Sequence, residues 1–193
     1  MSEIITNPIP QVAIITGGTA VGKTTMASYV ESSLGFPSVA FQQPVDDAYR
    51  ATFRTKSPVY GTPQWVDFCK FRELIPRHFG SCFWALCLRE FMLPGGIVFV
   101  EGDLSKSEIE ALYKTYDVVG HFHVVRDYGA EEFHPGAGVV KIENCCPWPH
   151  TNNPSFYMPF LNEILDKVCK ELDVPRPKTA LTPRCRDSND PTI

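Results

Sequence analysis

One eight-residue stretch constrains this chain more than any other. Gly17-Gly18-Thr19-Ala20-Val21-Gly22-Lys23-Thr24 fits the pattern G-x-x-x-x-G-K-[ST]. Before it lies Gln11 to Thr16 (QVAIIT), an apolar, β-branched run that predicts a buried strand. After it, Met26, Ala27, Val30 and Leu34 recur at helical spacing up to Gly35, a suitable C-cap. Strand, glycine turn and helix in that order make a cradle for an anion. The glycines let the backbone wrap closely around phosphate oxygens, and successive N–H groups and the helix N-terminus face the charge. The nucleotide-binding residues expected are Gly17, Gly18, Thr19, Ala20, Val21, Gly22, Lys23, Thr24 and Thr25. Lys23 would reach the β- and γ-phosphates, and Thr24 would ligate magnesium. A purely structural glycine turn is the competing account.

The remaining apolar runs supply the rest of a fold. SVAF at 38–41, IVFV at 97–100, 118–125 and VVKI at 139–142 predict four more buried strands. Helical spacing is read over 23–34, 45–53, 64–75, 106–116 and 156–172. Pro76 is expected at the first position of a further helix reaching Leu93. Buried strands alternating with helices imply an α/β chain with three αβα layers and a mostly parallel sheet of about five strands, and the Gly17–Thr24 motif makes the expected fold that of a P-loop NTPase. The 193 residues suit one domain, here 1–174. Pro175, Pro177, Pro183 and Pro191 mark 175–193 as an extended or disordered tail.

A second functional part is a carboxylate ending another buried strand. Glu101 closes the IVFV run, with Asp103 two residues on. Glu101 is preferred as the partner of Thr24 in holding Mg2+, because it should lie beside the glycine loop. An ordinary strand-end carboxylate is the alternative.

Charge is distributed unevenly. The formal net charge is −4, which disfavours nucleic acid as a partner without excluding it. Residues 50–89, however, hold seven cations against two anions, so this segment is +5 and the rest of the chain −9. Arg50 and Arg54 are spaced to share a helix face, and arginine suits bidentate capture of phosphate. Lys70, Arg72 and Arg77 lie further along. Aromatic residues interleave, among them Phe41, Phe53, Tyr60, Trp65, Phe68 and Trp84, of which one or two could stack on a base and the rest form core. Asp46 and Asp47 suit either a helix start or a sugar hydroxyl.

Seven cysteines in irregular positions fit free thiols in a reducing compartment. Cys145, Cys146 and His150, with His121, His123 and His134, match no standard zinc spacing. No apolar run approaches the roughly 20 residues of a membrane span, and the N-terminus shows no secretory pattern, so a cytoplasmic location is expected.

Together these residues resemble the bacteriophage deoxynucleoside monophosphate kinases, within the P-loop nucleoside monophosphate kinases. The resemblance runs over about residues 11–172. It starts at Gly17–Thr24 and continues through Gly35-Phe36 into Val39-Ala40-Phe41-Gln42-Gln43-Pro44. It includes Tyr60-Gly61-Thr62, Phe83-Trp84, the Ile97–Glu101 strand with Ser107-Glu108-Ile109-Glu110 beyond it, and Val124-Val125-Arg126. The chain departs from the family at Asp103, where an arginine is usual, and in the lid, about 127–153, whose one cation is Lys141.

The resemblance implies transfer of the γ-phosphoryl group of ATP to a (deoxy)nucleoside monophosphate, with Mg2+ as cofactor and a helical acceptor region at about 44–93. Lys23, Arg54, Arg126 and Glu101 would be catalytic. Phe41, Gln42, Asp46, Arg50, Arg54, Arg72 and Trp84 would contact the acceptor. The partner would be a small-molecule nucleotide, and a homodimer is compatible with this. A kinase acting on a hydroxyl, in a nucleoside or a hydroxymethylated base of DNA, and a non-kinase P-loop NTPase remain the alternatives.

Overall fold

The computed structural model describes residues 9–126, 138–144 and 158–177. Five strands form one sheet, β1 (Gln11–Thr16), β2 (Ser38–Ala40), β3 (Ile97–Glu101), β4 (Asp117–Arg126) and β5 (Val139–Asn144). Their order across the sheet is 2-3-1-4-5 and every pairing is parallel. Because all five run the same way, their C-terminal ends share one edge, where Thr16, Ala40, Glu101, Arg126 and Asn144 come to lie.

Alternation along the strands divides the core in two. Ala13, Ile15, Phe99, Phe122, Val124 and Ile142 face α1 (Lys23–Leu34) and α6 (Met158–Glu171). Val12, Ile14, Val98 and Val100 face the opposite side. There they meet α2 (Gln43–Phe53), α3 (Pro63–Phe79), α4 (Phe83–Cys87) and α5 (Lys106–Thr115). This is the expected three-layer arrangement. A register shift opposite Val12 and Ala13 lets β4 pair Val118 with Val12 and then Gly120 with Ala13. The extra residue, Val119, carries the alternation across, so Phe122 and Val124 join the α1–α6 side.

The expected element bounds hold within one or two residues, with one correction. Pro76 does not start a new helix. It sits in the last turn of α3, and the break comes at Gly80. Proline lacks an N–H, so the carbonyl four residues back loses its helical donor. That carbonyl belongs to Arg72, and the Trp84 indole donates to it at 2.8 Å. Gly80, at φ 102, then turns the chain while its own N–H closes on the Pro76 carbonyl. Only two short pieces lie between this turn and β3, namely α4 and a 3-10 turn at Leu88–Phe91.

Helix α5 begins with a capping box. Ser105 accepts from the Glu108 N–H, and Glu108 accepts from the Ser105 N–H. Cys69, Cys82, Cys87 and Cys169 are free thiols. No helix among the described residues is long and apolar enough to cross a membrane. Most of the expected lid and all of the tail beyond residue 177 lie outside the described residues. So do Cys145, Cys146, His134 and His150.

The indole bond yields a prediction. Trp84→Phe keeps the ring packing but removes the donor, and should lower stability in urea unfolding by about 1–3 kcal/mol. An unchanged unfolding curve would show that the Arg72 carbonyl does not depend on Trp84.

Candidate functional site

The glycine loop leaves the C-terminal end of β1 and opens α1. Gly17 (φ 142) and Gly22 (φ 106) adopt positive φ values, which residues with a Cβ reach only with strain. A Cβ on Gly17 would also lie 2.3 Å from the Val124 carbonyl oxygen. Ala20 is left-handed as well, at φ 60. The first helical hydrogen bond of α1 runs from the Met26 N–H to the Gly22 carbonyl at 2.9 Å. The N–H groups of Lys23, Thr24 and Thr25 therefore have no partner within the helix and are available to an anion.

Lys23 folds back over the loop. Its ammonium donates to the carbonyls of Gly17 at 2.8 Å and Gly18 at 2.6 Å. Burial lowers its pKa, and the carboxylates of Asp103 and Glu101 oppose that shift.

Backbone geometry holds Glu101 beside the loop. It pairs with Ile15 in the parallel register, and the next N–H, that of Gly102, donates to the Ile15 carbonyl at 3.1 Å. The Glu101 carbonyl accepts from the Phe41 N–H at 2.8 Å. The Glu101 carboxylate then accepts from the Thr24 hydroxyl at 3.0 Å. A hydroxyl and a carboxylate oxygen this close are hard donors suited to Mg2+, which keeps several waters and needs few protein ligands. Thr24 and Glu101 thus fit the ion. Among the described residues there is no larger cluster of His, Cys, Asp or Glu that could hold a metal.

Two groups at the ends of β4 and β5 reach carbonyls of the loop. Arg126, at the end of β4, donates from Nη1 to the Ala20 carbonyl at 3.1 Å. Asn144, at the end of β5, donates from Nδ2 to the Val21 carbonyl at 2.6 Å. Arg126 is expected near the site from the sequence. Asn144 is not, although an Asn closing the VVKIEN run is a sequence signal, since a polar residue ending a buried strand must find a partner.

Beneath the loop, Thr16 Oγ1 stands 3.0 Å from His121 Nε2 and 2.9 Å from His123 Nδ1. The same hydroxyl lies 3.4 Å from the Phe122 carbonyl oxygen, which can take its one proton, and at most one of the three contacts is a bond that the hydroxyl donates. Burial, reinforced by His123, pushes the His121 pKa down to about 4.

The acceptor-side expectations fare unevenly. Phe41 is 1% exposed and Trp84 2%, so both belong to the core and neither offers a ring to a base. Arg72 is also corrected. Its guanidinium makes two 2.7 Å bonds to the Glu108 carboxylate and a 3.1 Å bond to the Asp103 carbonyl. It ties α3 to α5 and fixes the loop after β3.

Arg50 and Arg54 do not share a helix face. Helix α2 ends at Phe53, and Arg54 caps it at φ 50 and ψ 42, which turns the chain out of the helix. Arg50 lies 3.9 Å from Asp47. Asp46 accepts from the Ser57 hydroxyl at 2.7 Å. Gln42 holds the N-cap position of α2, at the same sheet edge as the glycine loop. Along α2, Arg50 and Arg54 stand about 10 and 16 Å beyond Gln43.

No protein-family model matches the sequence, and no curated protein matches it. Among solved structures, the fold is similar to that of a protein from Chloroflexus aurantiacus described provisionally as a kinase. The TM-score is 0.50 at 12% identity, over 85% of this chain and 99% of that one. A gluconokinase from Sinorhizobium meliloti matches at 12% identity and a TM-score of 0.48, over 86% of this chain and 95% of its own. A sugar kinase from Janibacter sp. HTCC2649 matches at 13% identity and 0.48 over the same shares. At 12% identity, the likeness to the Chloroflexus protein concerns the fold alone.

The histidine pair yields a pH prediction. His121 is neutral in the folded chain but takes a proton near pH 6.5 when unfolded, so the unfolded state binds more protons below that pH. Its contribution is fully present above about pH 6.5 and is lost as pH falls towards 4, by up to about 3 kcal/mol. Urea unfolding at stepped pH should show this loss in the parent chain and a flatter profile in His121→Gln. Matching profiles would remove His121 as the cause.

Proposed function

We propose that this chain is an ATP-dependent phosphotransferase whose acceptor is a (deoxy)nucleoside monophosphate. The observation that carries the first half is the 3.0 Å hydrogen bond from the Thr24 hydroxyl to the Glu101 carboxylate beside the Lys23 ammonium. It joins the two oxygen donors that Mg2+ requires to the cation that a triphosphate requires. The fold likeness to the Chloroflexus protein, described as a kinase, agrees with it. The acceptor half rests on the sequence resemblance and on the basic segment between β2 and β3.

The transfer moves a phosphoryl group from ATP to a phosphate oxygen of the acceptor, leaving ADP and a nucleoside diphosphate. The acceptor phosphate already carries about −1.5 to −2 charges near neutral pH. It needs no general base. It needs cations that hold it in line and offset the repulsion between two anions. Lys23 would exchange its Gly17 and Gly18 carbonyls for phosphate oxygens. Mg2+, held by Thr24 and Glu101, would supply charge neutralisation across the phosphates. Arg50 and Arg54 remain the acceptor-side cations, because Arg72 is engaged by Glu108.

A second reading has its own observation. Asp46 accepts a hydrogen bond from the Ser57 hydroxyl at 2.7 Å, so this carboxylate in the expected acceptor region is placed to accept from a hydroxyl group. An acceptor hydroxyl on a sugar, a nucleoside or a hydroxymethylated base would use it as the base.

An ADP-release assay across nucleoside monophosphates, nucleosides, sugars and modified oligonucleotides separates these readings. Release that depends on a nucleoside monophosphate is expected. Release dependent on a hydroxyl acceptor would favour the Asp46 reading, and release without any acceptor would overturn both. Lys23→Ala should reduce transfer by about 10²-fold or more while the fold persists. Arg54→Ala should raise the acceptor KM and leave the ATP KM unchanged; equal rises would remove Arg54 from the acceptor site.

A further inference from the structure

We propose that Asn144 is a positioning residue that sets the glycine loop in its anion-binding form by fixing the Val21–Gly22 peptide. The inference rests on the reading of the loop as a nucleoside triphosphate site.

A trans peptide is planar, with its C=O and N–H pointing in opposite directions. Whatever holds the carbonyl therefore aims the N–H of the following residue. Asn144 Nδ2 holds the Val21 carbonyl at 2.6 Å. Asn144 is 5% exposed and lies on the core side of the loop, since the space around Gly22 that it fills is shared with the buried Phe160 ring. With the carbonyl drawn to that side, the Gly22 N–H is turned the other way, to the solvent side from which a phosphate arrives.

Arg126 does the same one peptide earlier. It holds the Ala20 carbonyl at 3.1 Å and so fixes the direction of the Val21 N–H. The two holders are direct register partners on β4 and β5. Together they fix the directions of two consecutive N–H groups, and a backbone anion nest is built from successive N–H groups held in this way.

A second observation points the same way. A Cβ on Gly22 would lie 2.7 Å from Asn144 Nδ2. The last glycine of the motif is thus required for its φ of 106 and also for the closeness of this amide. The glycine and the asparagine, 122 positions apart, are fitted to each other.

The variants that test this are Asn144→Leu, which keeps similar volume without a donor, and Asn144→Ala. Calorimetric titration with ATP and with tripolyphosphate should show both ligands binding about 5- to 10-fold more weakly to either variant. The ATP KM should rise while the acceptor KM stays unchanged, a split that general loosening of the fold would not produce. In amide NMR spectra, the Gly22 resonance should shift with tripolyphosphate in the parent chain. It should lose that response in Asn144→Leu, while the Thr24 amide retains its own.

Parent-like ATP affinity in Asn144→Leu, or in Asn144→Ala should the first variant not fold, would overturn the inference and leave the kinase reading intact. A parent chain that binds neither ATP nor tripolyphosphate would overturn that reading and this inference together.

Discussion

Ile15 and Glu101 face each other across the central strand pair, and the rest of the candidate site depends on that register. It puts the last residue of β3 beside the last turn of backbone before the glycine loop. Glu101 thereby meets Thr24, a residue 77 positions earlier that the glycine loop brings to the start of α1. On the other side of β1, the pairing of Thr16 with His123 sets the depth at which β4 ends, and Arg126 emerges three residues later. The site is therefore an edge property of a parallel sheet. β1 delivers the glycine loop, β3 delivers Glu101 beside it, and β4 and β5 deliver Arg126 and Asn144 from the other side of β1.

Much of this is legible in the sequence. QVAIIT followed by the glycine motif and an amphipathic run dictates strand, loop and helix locally, and the observed α1 spans 23–34 as read, with Gly35 as its cap. Glu101 is legible because a carboxylate ending an apolar run must emerge at a strand end. Three things are not. The role of Asn144 depends on β5 lying beside β4, a pairing that periodicity does not specify. The burial of Phe41 and Trp84 depends on which faces of α2 to α5 pack on the sheet. The end of α3 hinges on whether a distant indole relieves the proline.

The basic segment shows how net charge can mislead. Its +5 suggests an anion site, yet four of its seven cations have carboxylates within 4 Å. Three of those pairs are exposed and three or four residues apart on a helix, where they contribute little to stability and leave the cations in water. The Arg72–Glu108 pair is different, because it is largely shielded and also carries the α5 capping box. It gives up a ligand-binding cation and gains rigidity in the segment that presents Glu101 and Asp103.

The Trp84 bond to the Arg72 carbonyl has a consequence for how the chain folds. Helix α3 cannot satisfy its own backbone, since the donor that the proline withholds comes from a residue 12 positions further on. Its last turn is complete only when α4 has docked. Residues 63–88 should consequently open and close as one cooperative unit, with protection against hydrogen exchange rising and falling together across both helices. A helix that finishes itself can form early and wait. This one must form with its neighbour, and the Arg72–Glu108 tie extends that dependence to the start of α5.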